Sequence, residues 1–111
     1  MASRQYHCDP NEDFINSCDG EILKKGEILG GWEPRYVLIT AKDGLMSFRN
    51  KDEPPTLRIT ETHELWSRFE TINSDKWIVM KLWNGFIKEE FAVPVYRGIK
   101  WLKAFYSLLR I

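Results

Sequence analysis

Between Gly20 and Val93 the chain breaks into seven short runs of apolar or alternating residues, each closed by a turn signal. They cover 20–25, 35–40, 45–49, 56–60, 65–72, 77–83 and 86–93. The punctuation falls at Gly26, Gly30-Gly31, Asp43-Gly44, residues 52–55, Asn73-Ser74-Asp75 and Asn84-Gly85. Runs this short and this evenly spaced predict an antiparallel all-β body. Asn84-Gly85 is the sharpest turn signal, because Asn-Gly best tolerates positive φ at both centres of a two-residue hairpin turn. It predicts a hairpin of 77–83 with 86–93. After Pro94 the period changes: Ile99, Leu102, Phe105, Tyr106 and Leu109 recur every three or four residues, with Trp101 and Leu108 alongside. That pattern predicts an amphipathic helix of about four turns, weak at its start because Gly98 is there and no strong N-cap residue precedes it.

The expected fold is therefore mainly β with one C-terminal α-helix: a seven-stranded antiparallel sandwich or partly open barrel, capped by the helix. A short sheet leaves one end open, and an apolar helical stripe is the natural cover. Trp101 is the expected plug, able to bury on the order of 200 Å². The remaining aromatics, Trp66, Phe69, Trp77, Trp83, Phe86 and Phe91, are read as core and cross-strand pairs.

The length of 111 residues suits one domain. Residues 1–18 read as a flexible acidic leader and 19–111 as the folded domain. The chain carries 16 Lys+Arg and 16 Asp+Glu, but the charges are unevenly placed. Arg4 stands alone against Asp9, Glu12, Asp13, Asp19 and Glu21, so residues 1–21 carry −4 and the rest carries +4. A nucleic-acid partner is not expected from a neutral chain.

No apolar run reaches the roughly 18–20 residues that span a bilayer. No apolar segment follows Met1, so a secretory signal is not expected. Gly is absent from position 2, so N-myristoylation of the chain as it stands is not expected either. Cys8 and Cys18 both fall in the acidic leader and are read as cytosolic thiols rather than a disulfide framework. With His7 and His63 they show no metal-ligand spacing, so no metal or other cofactor is expected. No nucleophile elbow, phosphate loop or paired-carboxylate motif points to an enzyme.

Three segments resemble the pleckstrin-homology (PH) family. Gly20-Glu21-Ile22-Leu23-Lys24-Lys25, a glycine-containing loop and Trp32-Glu33-Pro34-Arg35-Tyr36-Val37-Leu38 are similar to the family's first two strands and their variable loop. Leu45-Met46-Ser47-Phe48 is similar to its third strand, and Trp101 with Leu102 and Phe105 to its C-terminal helix. The likeness spans roughly residues 20–111.

The resemblance implies a phosphoinositide pocket between the first two strands, built on a Lys late in strand one, then a base, a spacer and an Arg. The Lys falls on Lys24 and the Arg on Arg35, with Pro34 as the spacer. Glu33 stands where the family carries the middle base, and that exchange costs a phosphate about 2–4 kcal/mol. A smaller head group, phosphatidic acid or a monophosphorylated inositide, is therefore expected at modest affinity. Lys24, Lys25, Arg35, Arg49 and Lys51 are the expected lipid-binding cluster, and Ile28 and Leu29 at the first loop tip are the expected membrane-insertion pair.

The expected partner is an anionic phospholipid membrane, and the expected location cytoplasmic and peripheral on a membrane. A second membrane signal such as an acyl chain is expected too, as in the acylated single-PH proteins that sense phosphatidic acid, which the chain resembles. The alternative is a protein-interaction module on the same scaffold with Trp66, Trp83 and Phe86 as exposed anchors. A further expectation is that the acidic leader folds over the basic end and masks it.

Overall fold

The computed structural model describes residues 17–26, 30–83, 85 and 88–109. Seven antiparallel strands form one curled sheet: β1 Ser17–Lys25, β2 Trp32–Thr40, β3 Gly44–Phe48, β4 Leu57–Ile59, β5 Glu64–Ile72, β6 Asp75–Trp83 and β7 Lys88–Pro94. A single 3-10 turn, Val95–Arg97, leads into helix α1, Gly98–Tyr106. The strand order is β4-β3-β2-β1-β7-β6-β5. β1 and β7 join through only two residue pairs, Leu23↔Ala92 and Lys24↔Phe91. That narrow seam lets the sheet curl into a half-barrel with β4 and β5 as its edges. The architecture is PH-like, as the sequence predicts.

Period-two alternation sets the two faces. The inner face carries Cys18, Ile22, Val37, Ile39, Leu45, Ile59, Ile78, Met80, Leu82, Phe91 and Val93, all in one buried core. α1 closes that core with Trp101, Ala104, Phe105 and then Leu108. Trp101 is 2% exposed and packs on Phe105, which packs on Phe91. The outer face holds a smaller cluster of Ile72, Val79 and Ala92, flanked by Leu23, Trp32 and Trp77.

Several local expectations are corrected. β1 starts at Ser17 rather than Gly20, and Cys18 is buried in the core; residues 1–16 lie outside the described residues, and with them Cys8 and the expected masking of the basic end. The β6–β7 hairpin exists, but its last pair is Trp83↔Lys88. Four residues separate the strands, so Asn84-Gly85 does not close a two-residue turn. Asn84 and Phe86 lie outside the described residues. The two-residue turn occurs instead between β5 and β6, where Ile72 pairs Asp75 and Asn73 and Ser74 have φ of 52° and 70°. Positive φ at both centres matches the right-handed twist of a hairpin.

The helix is nine residues long rather than about four turns. Its buried face also differs: Ile99 is 72% and Tyr106 44% exposed. Trp101 decides the rotation, since the largest side chain fills the sheet's mouth and residues three, four and seven positions on follow it inward. Gly98 permits the approach; a Cβ there would lie 2.5 Å from Ile78 Cδ1. The exposed Trp66 and Phe69 on β5 and Trp83 on β6 also depart from the expected core role.

Gly44 offers a direct stability test. Its φ is +75°, and an added Cβ would meet the Ile59 carbonyl oxygen at 2.5 Å and Thr60 Cα at 2.7 Å. Both obstacles are backbone, so no rotamer change relieves them. Gly44→Ala is expected to cost about 2–4 kcal/mol through strain at a special φ and overpacking. Thermal denaturation then shows a fall in Tm of about 10 °C or more.

Candidate functional site

The five bases expected to gather at one open end lie on different faces. Lys24 and Arg35 sit on the inner face: Ile22 pairs Arg35 and Lys24 pairs Glu33 in the β1–β2 ladder. Each already holds a carboxylate. Lys24 Nζ lies 2.9 Å from Glu89 Oε1, and both side chains are largely buried. Arg35 Nη2 donates to Glu33 Oε1 at 2.9 Å and its Nη1 to the Pro34 carbonyl at 2.7 Å. The residue that interrupts the family's pattern thus neutralises the Arg next to it. A phosphate entering here would have to displace two carboxylates.

Arg49 and Lys51 follow β3 and line a separate hollow of about 410 Å³ with Glu21, Tyr36 and Asn50. Glu21 and Tyr36 pair on the outer face. Lys25 is also on the outer face, 3.9 Å from Glu90 and 5.6 Å from the Trp32 ring centroid. Ile28 and Leu29 lie outside the described residues. The structure therefore brings Lys24 near Arg35, and Arg49 near Lys51, but it does not bring the two pairs into one pocket.

A different cluster emerges on the outer face. The registers Lys25↔Trp32, Lys81↔Glu90 and Trp66↔Lys81, with Glu90 beside Lys25, align Trp32, Lys25, Glu90, Lys81 and Trp66 across five strands. One step nearer the strand ends, Trp83 pairs both Glu64 and Lys88. Lys81 Nζ lies 5.6 Å from the Trp66 centroid and Lys88 Nζ 5.9 Å from that of Trp83. Trp66 is 52% and Trp83 40% exposed. Each such cation–π pair contributes about 0.5–1 kcal/mol at an exposed position.

Glu90, the cross-strand partner of Lys81, makes its ion pairs with Arg68 and Lys25 instead. Arg68 Nη2 lies 3.0 Å from Glu90 and 3.1 Å from Glu70. Desolvation works against the Arg68 charge, but its bonds to Glu90 and Glu70 outweigh it and hold the pKa above the ordinary arginine value. Lys81 moves the other way: the Lys88 ammonium beside it is the main cause, followed by desolvation, and its pKa is lowered.

Sequence reasoning missed Lys81 and Lys88. The signal was present in β6, where Ile78, Met80 and Leu82 take one face and so consign Lys81 and Trp83 together to the other. Away from this end, a hollow of about 630 Å³ lies between β1, the start of β6 and the 3-10 turn, lined by Leu23, Trp77, Tyr96 and Arg97 among others. Among the described residues no cluster of His, Cys, Asp or Glu is arranged to hold a metal. No helix among them is long and apolar enough to cross a membrane. Comparisons with models of known protein families and with curated proteins find no match for the chain.

Proposed function

We propose that the protein is a binding module of the pleckstrin-homology type that sits peripherally on anionic phospholipid membranes. It engages them through its outer rim rather than through a pocket between β1 and β2. The observation that carries this reading is the outer-face row of tryptophan–lysine pairs, Trp32 with Lys25, Trp66 with Lys81 and Trp83 with Lys88. An indole ring prefers the boundary between head groups and acyl chains, where its apolar body and its N–H are both accommodated. A lysine beside it reaches the phosphates while its methylene stem covers apolar surface. Near an anionic surface each such cation contributes about 1 kcal/mol. A few of them give modest, reversible binding, so a second membrane signal is part of the proposal.

Co-sedimentation with vesicles tests it. Binding is expected to anionic vesicles over neutral phosphatidylcholine, to weaken as salt is raised, and to fall about tenfold in Trp66→Ser/Trp83→Ser. Equal retention on neutral and anionic vesicles, or on neither, contradicts it.

A protein-interaction role is the second reading; the exposure of Trp66 and Trp83, the anchors it names, agrees with it, and a further observation favours it. Phe69 on β5 and Ile99 and Tyr106 on α1 are each exposed, and the Tyr106 hydroxyl lies 3.5 Å from Ser67 Oγ on β5. β5 is also a sheet edge, and an edge offers unpaired backbone groups to a partner. Failure of the protein to bind any anionic vesicle would move the assignment here.

A further inference from the structure

Long side chains at diagonal positions of neighbouring strands come within reach of one another, and two like charges placed so repel. Lys81 on β6 and Lys88 on β7 are diagonal neighbours: Lys88 pairs Trp83, and Lys81, two residues before Trp83, pairs Glu90. Among the described residues neither ammonium has a carboxylate within 4.0 Å. The one acid in register with Lys81, Glu90, is turned to Arg68 and Lys25. The lowered Lys81 pKa agrees with such a repulsion, which the charge of Glu90 offsets only in part. Trp66 and Trp83, both exposed, stand beside the two ammonium groups.

We propose that Lys81 and Lys88 form a binding site for a phosphomonoester, with Trp66 and Trp83 as its walls. A phosphomonoester carries between one and two negative charges near neutral pH and offers three acceptor oxygens, so it can take a charge-assisted hydrogen bond from each ammonium at once. Binding removes the repulsion between the lysines, a gain that an isolated lysine does not offer. A phosphodiester carries one charge and fewer free oxygens, so the pair discriminates against it. This deepens the membrane reading, on which it rests only for the source of the phosphate, a lipid whose head group is a bare phosphate; the site itself stands on the lysine pair.

The test uses two probes on the full chain. In ¹H–¹⁵N spectra, glycerol 3-phosphate is expected to shift the indole signals of Trp66 and Trp83, assigned through W66F and W83F, and to leave that of buried Trp101 in place. Dimethyl phosphate is expected to shift neither. On vesicles matched for surface charge, phosphatidic acid is expected to retain the protein about tenfold better than phosphatidylserine, about 1.4 kcal/mol. Lys81→Gln/Lys88→Gln, both on the sheet surface, and Lys88→Gln alone are expected to abolish that preference and the indole shifts with unchanged circular dichroism.

Equal effects of the two soluble phosphates, or a phosphatidic-acid preference that survives both variants, overturn the site. Binding to all anionic vesicles alike also overturns it while leaving the membrane reading intact. Indole shifts with glycerol 3-phosphate but no retention on any vesicle support the site and reject the membrane source.

Discussion

Lys24→Ala is expected to lower the stability of the domain by about 3–5 kcal/mol, a large share of what a domain of this size possesses. The effect comes from what remains behind. Glu89 is 7% exposed, and its carboxylate is compensated by Lys24 Nζ at 2.9 Å. Removing the ammonium leaves a charge in a place that water hardly reaches. Lys24→Met combined with Glu89→Leu removes both charges and keeps the volume, so it is expected to recover most of the loss. Chemical denaturation followed by circular dichroism reads both effects. The pair matters for function as well: weakened lipid binding in Lys24→Ala would report unfolding, whereas the double replacement removes the inner-face charge while keeping the fold.

Trp101→Ala is expected to cost a similar amount, about 3–5 kcal/mol, for a different reason. The indole fills the mouth of the half-barrel against Phe105 and approaches Gly20, whose added Cβ would stand 3.5 Å from its Cζ2. Truncation leaves a cavity bounded by a rigid sheet that cannot collapse into it. Trp101→Phe keeps part of the packing and is expected to cost about half as much. The same denaturation measurement checks it, with an unchanged midpoint in Trp101→Ala contradicting the plug assignment.

The fold was legible because strands and helix leave different periods in sequence. The alternation of Ile78, Met80 and Leu82, the early glycine-rich loop and the single helical segment after Pro94 carry most of the architecture. The helix's working face was harder to read. Counting apolar residues at three and four positions selects Ile99 and Tyr106 as readily as Ala104, and only the fit of Trp101 into the sheet breaks the tie. Turn assignment failed where propensity was strongest: Asn84-Gly85 lies within a longer connection, and the tight turn belongs to Asn73-Ser74, whose positive φ values the flanking register imposes.

The candidate site was less legible because charge partners are tertiary. Sequence places Lys24 and Arg35 on neighbouring strands, and it shows Glu33 between them. It does not show that Glu89, from a strand 65 positions later, returns through the β1–β7 seam to hold Lys24. The same seam sets Lys25 beside Glu90 and so completes the outer row from Trp32 to Trp66. Outer-face exposure of Trp66 and Trp83 departs from the core role read for them, and it is the reason the proposed binding surface is the convex rim rather than the pocket between β1 and β2.

Tryptophan fluorescence on anionic vesicles whose acyl chains are brominated near the head groups tests that rim most directly. The wild-type emission is expected to be quenched on binding, and most of that quenching is expected to disappear in Trp66→Phe/Trp83→Phe while Lys24→Met/Glu89→Leu retains it. Quenching equal in the wild type and the rim variant, with the protein bound to the vesicles in both, would contradict a membrane contact through the outer face.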